Sequence, residues 1–269
     1  MPATLHIQRI TATDEAPDRW LYLLHGIFGA GRNWNAVSRR LVKARSDWGV
    51  VAVDLRGHGR SEPGDPPHTL AACVDDLLHL PRNGAPPAAA VLGHSFGGKV
   101  ATLFAHAGEL ESLWIIDSTP SVRKPAGSAW EMLRMLDEHP GPFLDRDAGI
   151  DAVEAAGYSR PVAMWMGTNL QEGTDAAWRW RLDPEQMRAL LLDFFEVDTW
   201  PSIVAAAEAG TRVELIRATR SSIVSSEDRR KLRELADRGL PVARTDVDGG
   251  HWLNADAPDR LAELLAEML

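Results

Sequence analysis

The feature that most restricts what this chain can fold into is Gly93-His94-Ser95-Phe96-Gly97, set between the unbroken apolar run AAAVL at 88–92 and a helix-like stretch. A short run with no polar alternation reads as a strand covered on both faces, as in a parallel sheet. A turn of this kind holds its serine at a sharp bend, and the flanking glycines give the backbone room to make it. The hydroxyl then stands above the sheet edge, at the positive end of the following helix. Ser95 is therefore the candidate nucleophile. The plainer alternative is a glycine-rich turn whose serine is idle.

The same alternation extends along the chain. Residues 4–10 and 20–24 read as strands, 49–53 (GVVAV) as another covered strand, and 34–44 and 69–80 as the helices between them. After a strand at 112–116 (SLWII) the pattern changes. Residues 120–207 carry helix-like pieces, five of the ten tryptophans and no convincing strand. The alternation resumes with VELIRA at 213–218, a charged helix near 226–238, a strand at 241–247 and a closing helix from about 255. These patterns predict an α/β fold with a mostly parallel, doubly wound sheet and an inserted helical cap. The expected division is a core from 1–119, a cap from 120–207 and a second part of the core from 208–269.

At 45% hydrophobic and 25% charged, the 269 residues can bury a large core. A formal charge of -9 would repel a phosphate backbone, so nucleic acid is not an expected partner. Neither a signal-like N-terminus nor an apolar stretch of about 18 residues is visible, and a cytoplasmic location without a membrane span is expected. Cys73 is the only cysteine, and its helical surroundings mark it as a packed thiol with no chemical role.

A serine hydroxyl is a weak nucleophile at neutral pH and needs an imidazole to take its proton. Of the nine histidines, His251 alone stands in a glycine turn (Gly249-Gly250) between the last strand and the closing helix. His94 adjoins the nucleophile, but neighbours in a sharp turn point apart, and it reads as structural. Attack on an acyl carbon also places negative charge on oxygen, which backbone N–H groups can stabilise. Phe96 is expected to supply one. The glycine-rich HGIFGAG after the strand WLYLL supplies the other, from Ile27 or else from Phe28.

Taken together, LLHGIFGAGRNW, AVDLRGHGRS, GHSFGGKVA and DGGHWLNADAPDRL resemble the α/β-hydrolase superfamily over most of the chain outside the cap. HGIFGAGRNW with GHSFGGKVA is most similar to the small intracellular serine esterases and acyl thioesterases, and MGTNL followed by WRWRLDPE is similar to their cap. The resemblance implies a cofactor-free serine hydrolase acting on a small-molecule ester or thioester, as a monomer or homodimer. Ser95, His251 and the Ile27 and Phe96 amides would take the family roles, with no metal. Other reactions of the same scaffold, carbon–carbon bond hydrolysis or cofactor-free perhydrolysis, remain open. So does a non-catalytic ligand-binding chain.

One part of the family pattern is missing. The triad acid commonly follows the strand corresponding to VELIRA, where this chain reads ATRSSIVSSED and Ser222 occupies the aspartate's place. Asp117, at the end of SLWII, is the best alternative acid, and Asp248 is a second candidate by its closeness to His251. Ser222 would then hydrogen-bond to the acid or the histidine, or be an ordinary loop serine. Glu227 and Asp228 fit a helix-capping role. Arg56 and His58 read as structural, and Asp54 lies on the wrong strand. The cap tryptophans, Trp130, Trp165, Trp178, Trp180 and Trp200, either pack the insertion or line an acyl pocket. Arg179 and Arg181 form a solvated face or attract an anionic group.

Overall fold

The computed structural model covers residues 1–269. Its sheet is built from β1 (Ile7–Ile10), β2 (Arg19–Leu24), β3 (Trp48–Val53), β4 (Ala90–His94), β5 (Ser112–Ile116), β8 (Arg212–Ala218) and β9 (Val242–Val247). The spatial order is β1-β3-β2-β4-β5-β8-β9; only β1 runs antiparallel to its neighbour. The unbroken apolar runs have a direct cause. Tyr22, Leu24 and Val91 face one apolar layer, whereas Leu21, Leu23, Ala90 and Leu92 face the other, so neither side of a central strand meets water.

Helix α1 (Asn35–Ala44) and α11 (Pro258–Met268) pack together over one face, with the short α10 (Leu253–Asp256) before α11. The opposite face carries α2 (Leu70–His79), α3 (Phe96–Ala107) and α9 (Ser226–Asp237). Arg56 is buried in this part of the core, where its guanidinium donates to both oxygens of Asp76 at 2.7 and 2.8 Å. That paired arrangement satisfies a charge that would be costly alone.

Between β5 and β8 lie α4 (Ser128–Glu138), α5 (Arg146–Ala155), α6 (Arg160–Met166), β6 (Leu170–Glu172), β7 (Trp178–Trp180), α7 (Pro184–Glu196) and α8 (Trp200–Glu208). The expectation of no strand in 120–207 is corrected here. β6 and β7 form an antiparallel hairpin with Leu170 opposite Trp180. Each strand has three residues, too few for alternation to register in sequence. Helix α8 lies against α3 and β8 rather than over the sheet's end.

The outgoing chain after β5 and the returning chain after α7 form a stem. Arg123 N–H donates to the Phe195 carbonyl at 2.8 Å, and Thr199 N–H to that of Pro120 at 2.9 Å. From α3, the buried Lys99 ammonium donates to the carbonyls of Ser121, Phe194 and Val197 at 3.0, 2.7 and 2.5 Å. Burial pushes the Lys99 pKa down to about 8, against the attraction of Asp198 and Asp228. No helix is long and apolar enough to cross a membrane.

Candidate active site

Ser95 sits between β4 and α3 with φ 52° and ψ -117°. A methyl at Gly93 would run into the Gly97 carbonyl, and one at Gly97 would lie 2.5 Å from the His25 carbonyl oxygen. Gly93 is therefore needed for α3 to fold back on the bend, and Gly97 for the bend to pack against the end of β2. Ser95 N–H donates to the Ile116 carbonyl at 3.0 Å, which ties the bend to the neighbouring strand.

His251 comes from the loop after β9. Gly250 N–H donates to Asp256 Oδ2 at 2.6 Å, and His94 Nε2–H donates to the His251 carbonyl at 2.7 Å. These bonds aim the imidazole between two strand ends. Its Nε2 lies 3.0 Å from Ser95 Oγ, and its Nδ1 lies 2.7 Å from Asp117 Oδ2. Asp117 is buried at the end of β5, and its other oxygen accepts the Ala218 N–H at 3.1 Å. The structure thus brings Ser95, His251 and Asp117 into one hydrogen-bonded line.

Asp248 and Ser222 do not join it. Asp248 is exposed and engaged by Thr219 Oγ1 and Arg220, which hold its carboxyl below the usual range. Ser222 is exposed, and its hydroxyl bonds to neither Asp117 nor His251. The expectation of a fourth network member at Ser222 is corrected: the Ala218 amide takes the second carboxylate oxygen, and Ser222 faces solvent without a bond to Asp117 or His251.

The turn after β2 forms the opposite wall. Leu55 N–H donates to His25 Nε2 at 3.0 Å, so the His25 proton resides on Nδ1 and is given to the Gly26 carbonyl at 2.7 Å. Gly29 N–H closes the turn on that same carbonyl at 3.0 Å, with Phe28 at φ 62°. The N–H groups of Ile27, Phe28 and Phe96 have no acceptor within the chain. Ile27 and Phe28 line the same pocket as Ser95.

That pocket has a volume of about 130 Å³ and is roofed by Met132, Tyr158, Val162 and Trp165 from the insertion. Apart from its histidines, no ionisable base or carboxylate lines it. Trp165 meets Trp252 of the core at a ring separation of 5.7 Å. It is the one cap tryptophan in the lining. Trp130 packs edge-on against Phe195, Trp180 against Phe143, and Trp200 Nε1 donates to Ser121 Oγ. Trp178 pairs with Glu172 in the hairpin. Arg179 pairs with Asp175, and neither it nor Arg181 reaches the pocket.

Other candidates have structural partners. His58 Nδ1–H donates to the Arg56 carbonyl; Asp54 accepts from Gly31 N–H, Arg60 N–H and His6 Nδ1. Cys73 is buried, which pushes its thiol pKa up and its reactivity down.

A model of the alpha/beta hydrolase family matches residues 21–264. The chain belongs to the alpha/beta hydrolase family. Among relatives of this α/β hydrolase, the sn-1-specific diacylglycerol lipase ABHD11 of Danio rerio is 28% identical, over 88% of this chain and 74% of the relative. The esterase YbfF of Escherichia coli is 28% identical over 98% of each chain. A marine microorganism esterase superposes with a TM-score of 0.84 at 20% identity, over 98% of this chain and 99% of its own.

Two positions of this α/β hydrolase were missed as site-shaping residues. His25 orders the turn at 26–29 through both ring nitrogens; its place at the end of β2 gave no signal beyond the HGIFGAG run itself. Asn169, buried within MGTNL, donates from Nδ2 to the Phe28 carbonyl at 2.9 Å. The similarity of that segment to the family's cap was the available signal.

Proposed function

We propose that the chain is a serine esterase that hydrolyses carboxylic esters or acyl thioesters through an acyl-enzyme on Ser95, with the part of the 120–207 insertion that roofs the pocket, α4 to α6, as its lid. The observation that carries this reading is the line from Asp117 through His251 to Ser95, with contacts of 2.7 and 3.0 Å, opening into an apolar pocket. Relatives named as lipases and esterases support the ester class. A binding-only chain drew its weight from the missing acid after β8, and Asp117 supplies a carboxylate from β5 instead.

In this mechanism Ser95 Oγ attacks the acyl carbon while His251 Nε2 takes its proton. The carbonyl oxygen gains the negative charge and is met by the free Ile27 and Phe96 N–H groups. His251 then returns the proton to the leaving alcohol or thiol. Water, deprotonated by the same nitrogen, releases the acid and restores Ser95.

The pocket argues for a small, uncharged acyl group. An apolar cavity of about 150 Å³ holds benzene, so about 130 Å³ fits a short chain or small ring. A fluorophosphonate probe is expected to label Ser95 in the wild type and not in Ser95→Ala. Across p-nitrophenyl esters, kcat/KM is expected to peak at short acyl chains and to be lost in Ser95→Ala. An unlabelled wild type with no esterase or thioesterase turnover would refute the reading.

A further inference from the structure

The turn from Gly26 to Gly29 holds a residue in a conformation its side chain disfavours. Phe28 stands third in the turn at φ 62°, where glycine or asparagine is ordinarily found. The chain carries phenylalanine instead, whose buried side chain lines the pocket. A left-handed phenylalanine persists only where its surroundings over-determine it. Two of the restraints come from the core: His25 Nδ1–H and Gly29 N–H both reach the Gly26 carbonyl. The third comes from the insertion.

Asn169 ends the turn between α6 and β6, and its Nδ2 donates to the Phe28 carbonyl at 2.9 Å. The bond is buried, so no water replaces it while the insertion is docked. Asn169 is itself fixed by the hairpin, since its carbonyl accepts the Arg181 N–H at 2.8 Å. A reciprocal bond runs the other way. Arg32, three residues beyond the turn, donates to the Thr168 carbonyl at 2.7 Å. Each side of the contact therefore supplies a side-chain donor to a backbone carbonyl of the other.

We propose that Asn169 is a positioning residue for the oxyanion hole: by capturing the Phe28 carbonyl, it makes the active shape of the 26–29 turn conditional on the docked cap. This rests on the Ser95 hydrolase reading above. The peptide plane that presents the Phe28 carbonyl to Asn169 adjoins the one that carries the Phe28 N–H, and the Ile27 N–H lies one plane further back, on the plane of the Gly26 carbonyl. Release of the carbonyl lets Phe28 relax to negative φ, which swings the adjacent Phe28 N–H, breaks the Gly29 N–H bond to the Gly26 carbonyl and so loosens the plane that carries the Ile27 N–H. Acyl transfer is thereby favoured over a closed pocket, and an open cap leaves Ser95 without its full oxyanion site.

The test is a double-mutant cycle with a short p-nitrophenyl ester. Asn169→Leu removes the donor at similar volume, and its kcat is expected to fall by roughly 10²-fold, the usual cost of losing one oxyanion donor, with KM nearly unchanged. In a Phe28→Gly background the left-handed turn needs no external restraint, and the same substitution is expected to lower kcat by less than about threefold. A residue that only supports the cap would shift KM and thermal stability instead, equally in both backgrounds. If Asn169→Leu does not fold, Asn169→Ala removes the donor without added bulk and carries the same comparison. A wild type that fluorophosphonate does not label at Ser95 defeats the hydrolase reading. A labelled wild type whose Asn169 variants keep kcat, or lose as much in the Phe28→Gly background as with Phe28 in place, overturns this inference alone.

Discussion

Ionised Asp117 can only accept a hydrogen bond, so its 2.7 Å contact fixes the His251 proton on Nδ1 and leaves Nε2 bare toward Ser95. Asp117→Asn would offer an amide N–H to Nδ1 and favour the opposite tautomer, with the proton facing the serine. The expected result is a fall in kcat of about 10⁴-fold with little change in KM. Asp248→Asn, on an exposed carboxylate held by Thr219 and Arg220, is expected to leave kcat within about twofold. Steady-state rates on one p-nitrophenyl ester compare the two; equal losses would refute the assignment. Ser95 and His251 were legible in the sequence because each lies in a local glycine pattern. The acid was not fixed there, because Asp117 and Asp248 both end strands near the site. Only the pairing of β5 with β8 decides which one meets the imidazole.

Helix α9 shows how one turn can hold two acids with unrelated roles. Asp228 is buried, closes a capping box with Ser225, and also accepts the hydroxyls of Thr119 and Ser121 from the cap stem. Glu227 is exposed and pairs with Arg230 along the helix surface. Asp228→Ala removes a cap and leaves two hydroxyls without their acceptor, a loss of about 3 kcal/mol. Glu227→Ala is expected to leave the unfolding midpoint nearly unchanged. Urea unfolding measures both, and a small loss at Asp228 would mean that the stem hydroxyls find other partners. The capping role was readable from sequence, whereas the link to residue 119 was not, since capping is a local pattern and the stem contact spans 109 positions. The β6–β7 hairpin escaped for the converse reason. It is local but too short, and its Trp-Arg-Trp strand also reads as a charged face with aromatic flanks.

Across the whole molecule, the end of the sheet that carries the site is held by histidines that are buried uncharged. His58 and His94 have pKa values pushed down to about 3 by burial and by the neighbouring His25 and His251, and His25 is shifted in the same direction by burial. Each is committed as a neutral donor: His94 to the His251 carbonyl, His25 to that of Gly26 and His58 to that of Arg56. His58 Nε2 has no partner, so a second proton there would be buried without an acceptor. In the unfolded chain these rings protonate as pH falls through about 6.5, whereas His58 and His94 in the fold stay neutral until near 3. The unfolded state therefore binds more protons across that window, and stability is full above it and lost as pH falls. His58 and His94 each contribute about 1.4 kcal/mol per pH unit once the pH is well below 6.5. Between pH 6 and 5 few exposed carboxylates titrate, so the histidines set the slope. Glu214 acts with opposite sign: burial raises its pKa, which favours the fold at low pH and weakens it as pH rises. Urea unfolding across pH 6 to 5 should show the acid loss, and His58→Gln should lower the slope by about one proton, or about 1.4 kcal/mol per pH unit. An unchanged slope would show that His58 protonates within the fold, and the neutral interior of the site would have to be abandoned.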